Sequence, residues 1–415
     1  MRTLKAGALQ MVTFIIVVIA LFLSSILILM HVHKQFRIQT NHTIETVKLL
    51  DEGIHYQMPK TVTTDENRTM SLIAEDDKHL KLTKGFWGVF EQMHVEAQIK
   101  NKKLVKMAFV GEQPRPSRVA LFLKDNNKPL VVVGNTRIEG SAYLPKRGIK
   151  TGHISGHSYY GTKTVYGATE VSRQFPKLDS KLEAHIKLLT EYKLVNQENI
   201  QNIDLHSGKT HINSFENPLM LASSRNEIML SNITLSGHII VQSNRKIIVD
   251  ETTQLKDVVL IAPNIEIRKD VKGIFQAFAT KQLNVSENVK LNYPSALVLY
   301  GDYIKEEAHH LELASNSEIK GILLCLGRTR SDNFDVQLKI EDNTIIEGQV
   351  YCEQNLDLRG TVYGTVYANN FLVKENGTTY QNHLYHAEIN SNELTEQFVG
   401  LSFNTLPKQV MKWLY

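Results

Sequence analysis

From Ala6 to Met30 the chain runs 25 residues without a charge, and only Gln10, Thr13, Ser24 and Ser25 interrupt the apolar side chains. As a helix at about 1.5 Å per residue this run covers about 37 Å, enough to cross a bilayer with some tilt. A cleaved signal has a shorter apolar core, about 7–15 residues, ending in small side chains. Here the run leaves through Leu27-Ile28-Leu29-Met30. The expectation is a retained leader and transmembrane anchor over residues 1–33, with no second span later. Arg2 and Lys5 lie on one side, and Lys34, Arg37 and Lys48 on the other, so charge does not choose an orientation.

Helical periodicity continues past the apolar run. Ile44, Val47, Leu50 and Ile54 recur at spacings that share one helix face, Gly53 weakens the pattern, and Pro59 forbids its continuation. This predicts an amphipathic stem helix over 34–59. The segment Lys5-Ala6-Gly7-Ala8-Leu9-Gln10, followed by the apolar run, resembles the start of type IV pilin-like proteins. The closer likeness is to the minor classes, the PilX-like minor pilins and the K-type pseudopilins of type II secretion. The resemblance implies that a prepilin peptidase cuts after Gly7 and that the mature chain begins at Ala8. It also implies a bacterial inner-membrane protein with its C-terminal domains outside the cytoplasm, working with other pilin-like or envelope proteins. Major pilins carry Phe first and Glu fifth in the mature chain. Ala8 and Val12 stand there instead, and the K-type class also lacks that Glu.

Residues 60–133 read as a small antiparallel β-rich module of α+β character. Val95, Ala97 and Ile99 alternate with polar residues, Asn101-Lys102-Lys103 makes a turn, and Leu104–Val110 returns. Val119–Lys124 and Pro129–Val133, joined by Asp125-Asn126-Asn127-Lys128, read as a second hairpin. The aromatic run Gly85–Phe90 is expected in a core. Between Glu96 and Lys150 there are 12 Lys/Arg and four Asp/Glu, a local +8 in a chain of net +4. Lys100, Lys102, Lys103, Lys106, Arg115 and Arg118 form the basic patch. It is a solvated edge that keeps strands from pairing with neighbours, or a contact for an acidic polymer. Aromatics are not interleaved with it, which argues against a nucleic-acid partner.

Beyond residue 134 a loose repeat of apolar–polar–Gly–polar–apolar recurs around Gly140, Gly321, Gly348, Gly360 and Gly364, among short strands joined by Asn-, Asp- and Ser-rich turns. Gly inside strands would weaken an ordinary sheet but suits the sharp corners of stacked coils. A β-helix-like solenoid is expected over 134–390, with Gly321, Gly348 and Gly360 equivalent and Ile322, Val350 and Val362 inward. A flanking helix is expected over 176–196 and a C-terminal cap over 391–415. These Gly-punctuated strands resemble bactofilin-type polymer-forming domains. The fold class is therefore mixed: a transmembrane helix with a stem, a small β-rich module, then the solenoid.

Chemistry is sparse. Cys325 and Cys352 each lie just after a Gly-containing repeat, either as a disulfide outside the cytoplasm or as two buried hydrophobes; spacing leaves both open. No CxxC pair exists, and His153 and His157, four apart, have no neighbouring ligand to complete a metal set. Asp332 and Asp335 are the nearest local carboxylate pair, in a loop where a turn role is commoner than catalysis. No nucleophile elbow, phosphate loop or dinucleotide fingerprint is present, so no cofactor is expected. With 23 Gly, 10 Pro and two Cys, composition excludes collagen and disulfide-stapled miniproteins. Two readings remain. One is a non-enzymatic, membrane-anchored structural or assembly protein; the other is an anchored carbohydrate-active enzyme or polysaccharide-binding protein.

Overall fold

The computed structural model describes residues 6–60, 70–73, 78–113, 118–191, 200–302, 309–330, 332–403 and 407–414. It joins a long apolar N-terminal helix to a large β-rich region, mixed α and β overall. The chain divides into two compact units: Met1–Gln57, Asn67–Thr83 and His94–Lys106 form one, and Met58–Glu66, Lys84–Met93 and Met107–Tyr415 the other.

In the first unit, helix α1 (Ala6–Gln57) is continuous through 52 residues. It is the one helix among the described residues long and apolar enough to cross a membrane. The hydroxyls of Thr13 and Thr46 donate to carbonyls four residues back, Leu9 O at 3.0 Å and His42 O at 2.6 Å, so neither interrupts the helix. The buried stripe at its C-terminal end is Thr46, Leu50, Gly53 and Ile54. Ile44 and Val47, expected on that face, stay 48% and 38% exposed. Gly53 explains the rotation: a Cβ there would come within 2.8 Å of Leu80 and 2.9 Å of Val95. The glycine that weakens the sequence pattern is thus the contact point. Strand Met70–Ile73 pairs antiparallel with His79–Leu82, and Leu80, Leu82, Val95, Ala97 and Ile99 are buried in the expected alternation.

The second unit opens with a buried ion network. Lys84 Nζ lies 2.8 Å from Glu91 Oε2, and Lys408 Nζ lies 2.6 Å from Glu91 Oε1. Burial pushes the Lys84 ammonium below its ordinary pKa, against the pull of Glu91. Trp87 and Phe90 are buried, as core residues should be. The terminal segment Lys408–Leu414, expected as a cap, instead pairs antiparallel with Met107–Glu112.

The rest of this unit is a closed array of parallel strands. Registers run in chain order from Leu221↔Ile240 through Val241↔Leu260, Leu260↔Ala277, Ala277↔Leu297 and Leu297↔Leu323 to Leu323↔Val350 and Val350↔Val366. Then Val366 pairs with Leu121, Leu121 with Ala142, and Ala142 with Thr169. Residues 119–171 therefore extend the array beyond its C-terminal strands, and the connection carrying helix α2 (Ser180–Thr190) returns the chain to the opposite end.

Three expectations are corrected here. Val119–Leu123 and Leu130–Val133 do not pair as a hairpin. Val119–Leu123 joins the closed parallel array, whereas Leu130–Val133 is the middle strand of a separate three-stranded parallel sheet, between His383–Tyr385 and Ile149–Thr151. Their unbroken apolar runs fit strands covered on both faces, whereas a hairpin would leave one face wet. The flanking helix starts at Ser180, not at Pro176, because Asp179 Oδ1 accepts from Lys181 N at 2.9 Å and caps it; Lys193 lies outside the described residues.

The third correction concerns register. Gly321, Gly348 and Gly364 are stacked partners; Gly360 is not among them. Both glycines fit the sequence repeat, but Val362 belongs in the apolar column Leu291, Ile319, Ile346, Val362, Ile389, Ile138. That leaves Gly364 to follow two residues later. Ile322 stands opposite Gln349, while Val350 pairs with Leu323 and Val366. At Gly348 and Gly364, φ is 150° and 151°, and a Cβ on each would overlap the carbonyl oxygen of the preceding glycine. Gly140 continues this column against Ser391.

Candidate functional site

The ladder Ala279, Leu299, Cys325, Cys352, Ala368, Leu123 points into the core of the array. Successive side chains on a strand alternate between faces. The residues one step further along these strands, among them Tyr300, Glu353, Asn369 and Lys124, line a cleft of about 1090 Å³ beside α2. Helix α2 docks through Leu182, Ile186 and Leu189, which carries Glu183 and Lys187 to the cleft wall.

Glu353 is the chemically distinctive group. Its Oε2 accepts from Gly327 N at 3.0 Å, and its Oε1 lies 3.2 Å from the Tyr351 hydroxyl, which also donates to Pro176 O at 2.9 Å. Burial raises its pKa above the usual carboxylate range, and the nearby Glu183 charge adds to the rise. Asp302 Oδ1 accepts from Arg328 N at 2.7 Å. Burial also raises the Tyr300 phenol, and the charges of Glu183, Asp302, Glu191 and Glu353 add to the rise. A carboxyl shifted by burial in a cleft is the pattern expected at binding or proton-handling sites.

A second groove, about 480 Å³, shares Lys124, Asp125, Thr329 and Asn369 with the first. Side-chain amides dominate it. Asn355 Nδ2 donates to Asn333 O and Asp335 O at 3.1 and 2.8 Å, Asn370 Nδ2 to Asn355 Oδ1 at 3.0 Å, and Asn126 Nδ2 to Asn369 O at 2.6 Å. The arrangement can hold a polar ligand through amides, carboxylates and cations. Among the described residues no group of three or more His, Cys, Asp or Glu could hold a metal.

The residues singled out by sequence lie elsewhere. Cys325 and Cys352 are buried, unbonded neighbours inside the array. His153 and His157 flank a tight antiparallel turn: His153 faces Ser158, while His157 packs on His386, 5.2 Å between ring centroids. Asp332 is held by Arg330 at 3.0 Å and Asp335 by Lys374 at 3.0 Å, so each carboxylate has a cation partner. Of the basic patch, Lys100 occupies a turn at φ 51°, Lys102 is exposed, Lys103 pairs with Glu96 at 3.0 Å and Lys106 with Asp51 at 2.9 Å. Arg118 donates to the carbonyls of Leu394 and Thr395, and Arg115 lies outside the described residues. Sequence reasoning missed Glu353, Asp302, Tyr300 and Lys124. Their one signal is position, each at or just past the outward step after an inward ladder residue.

No family model and no curated protein matches this chain. Among solved structures, the competence-associated pilin ComZ from Thermus thermophilus aligns over 90% of this chain and 97% of its own, at 10% identity and a TM-score of 0.18. A likeness at that score carries no argument about fold or function. The resemblance to bactofilins gains no support from these comparisons.

Proposed function

We infer that this chain is a non-enzymatic, membrane-anchored structural or assembly protein, a minor component of a pilin-like or type II secretion-like apparatus. The observation that carries the reading is α1. Its first half exposes Leu9, Phe14, Leu21, Phe22 and Leu27, side chains that need lipid or neighbouring helices to cover them, while Leu50 and Ile54 near its end are buried. One rigid helix then serves as both anchor and stem, as the sequence Lys5–Gln10 implies by resemblance. The closed parallel array, read as a β-helix-like solenoid, is the displayed body, outside the cytoplasm and facing other envelope proteins.

Mass spectrometry of the N-terminus tests this. Protein purified from membranes of cells with a prepilin peptidase should begin at Ala8, and Gly7→Ala should retain the leader. A chain beginning at Met1 in those cells would remove the pilin reading and leave only an anchor.

A further inference from the structure

We propose that the adjoining grooves beside α2 bind an acidic glycan. The two grooves share Lys124, Asp125, Thr329 and Asn369 as lining. They cross the ladder from Leu299 to Leu123, four strand spacings, or about 19 Å at about 4.8 Å each. That is room for a short oligosaccharide lying across the strands.

The chemistry of the lining selects the ligand. The floor presents hydrogen-bonding groups suited to hydroxyls: the carboxylates of Glu353 and Asp302 accept, and the amides of Asn126 and Asn370, each with one N–H left over from its internal bond, do both. Half-buried Phe175, packed on Phe122 and Tyr351, and half-buried Tyr300 add aromatic surface to the lining. Around them Lys124, Arg173, Lys177 and Arg328 are exposed, and among the described residues none has a carboxylate within ion-pair distance. A ligand that donates hydroxyls to the floor and brings anionic groups to these cations satisfies both sets. A chain of uronic-acid sugars does so. A neutral glycan leaves the cations without anions, and a phosphodiester polymer brings charge towards Glu353 and Asp302 with few hydroxyls to donate.

The test is isothermal titration of the full chain in detergent with tetragalacturonate, cellotetraose and a glycerol-phosphate oligomer. Tetragalacturonate should bind, with cellotetraose and the phosphate oligomer at least about tenfold weaker, the loss of one charge-assisted hydrogen bond. Lys124→Ala, Arg173→Ala and Arg328→Ala are surface changes, and each should weaken tetragalacturonate by up to about tenfold, with Arg173→Lys retaining most of the affinity. The proposal is overturned if no acidic glycan binds or if cellotetraose binds as well. It is equally overturned if the phosphate oligomer binds better, or if a triple variant with an unchanged thermal melt binds tetragalacturonate as the parent does.

Discussion

Cys325 and Cys352 face each other across neighbouring parallel strands, in register and out of contact with water, yet unbonded. Burial pushes the Cys325 thiol well above its ordinary pKa, so the reactive thiolate is scarce. At pH 8 the folded protein should therefore resist iodoacetamide, and both residues should alkylate in denaturant. Intact-mass analysis reads the difference; rapid alkylation of the folded state would mean that this ladder opens.

The glycine column separates backbone strain from overlap. Gly348 and Gly377 both have positive φ, but only Gly348 has a neighbour where a Cβ would go. Gly348→Ala should cost about 1–3 kcal/mol more than Gly377→Ala, the penalty for added volume in a packed site. Comparing their denaturant midpoints checks this, and equal shifts would contradict the stacking of Gly321, Gly348 and Gly364.

Acid should loosen α2. His185 stacks on Phe86 at 5.2 Å, its Nε2 is buried without a partner, and burial lowers its pKa to about 4 from 6.5. The folded state thus binds this proton less tightly than the unfolded chain. The stabilisation is complete above pH 6.5 and is lost as pH falls towards 4, by at most about 3 kcal/mol. His185→Leu should flatten that slope in unfolding measurements across pH 7 to 4.

Glu91 should be more sensitive than any exposed carboxylate. It is the shared anion of Lys84 and Lys408, with all three side chains almost wholly buried. Glu91→Ala leaves two buried ammonium groups without their counter-ion, at a cost of about 3–5 kcal/mol. Calorimetry should show the largest drop in Tm at this position, whereas Glu96→Ala, at a partly exposed pair with Lys103, should move it little.

Anchor and stem can be tested separately. Removing residues 1–33 deletes the apolar span and should release the chain from membranes in a sedimentation assay. Gly53→Leu should instead leave membrane attachment intact and reduce hydrogen-exchange protection near Leu50 and Ile54, because Leu80 and Val95 occupy the space it needs.

The sequence by itself determined the elements whose cause is local. Twenty-five uncharged residues make α1 apolar, Pro59 stops it, and the alternation of Val95, Ala97 and Ile99 makes a one-sided strand. Only the tertiary structure decided which segments meet. Thr365 donates to Val119 O at 2.6 Å across 246 positions, and no local periodicity encodes that choice. It follows from burial, since Val119–Leu123 in the array and Leu130–Val133 in its own three-stranded parallel sheet each pack against the common core instead of leaving a face wet. Register had the same origin: Gly360 and Gly364 fit the repeat equally, and the apolar column through Val362 selected Gly364. The candidate site was legible only afterwards. Tyr300, Glu353 and Lys124 lie far apart in sequence, and they share a cleft because parallel strands in register stack the outward step of each strand upon the next.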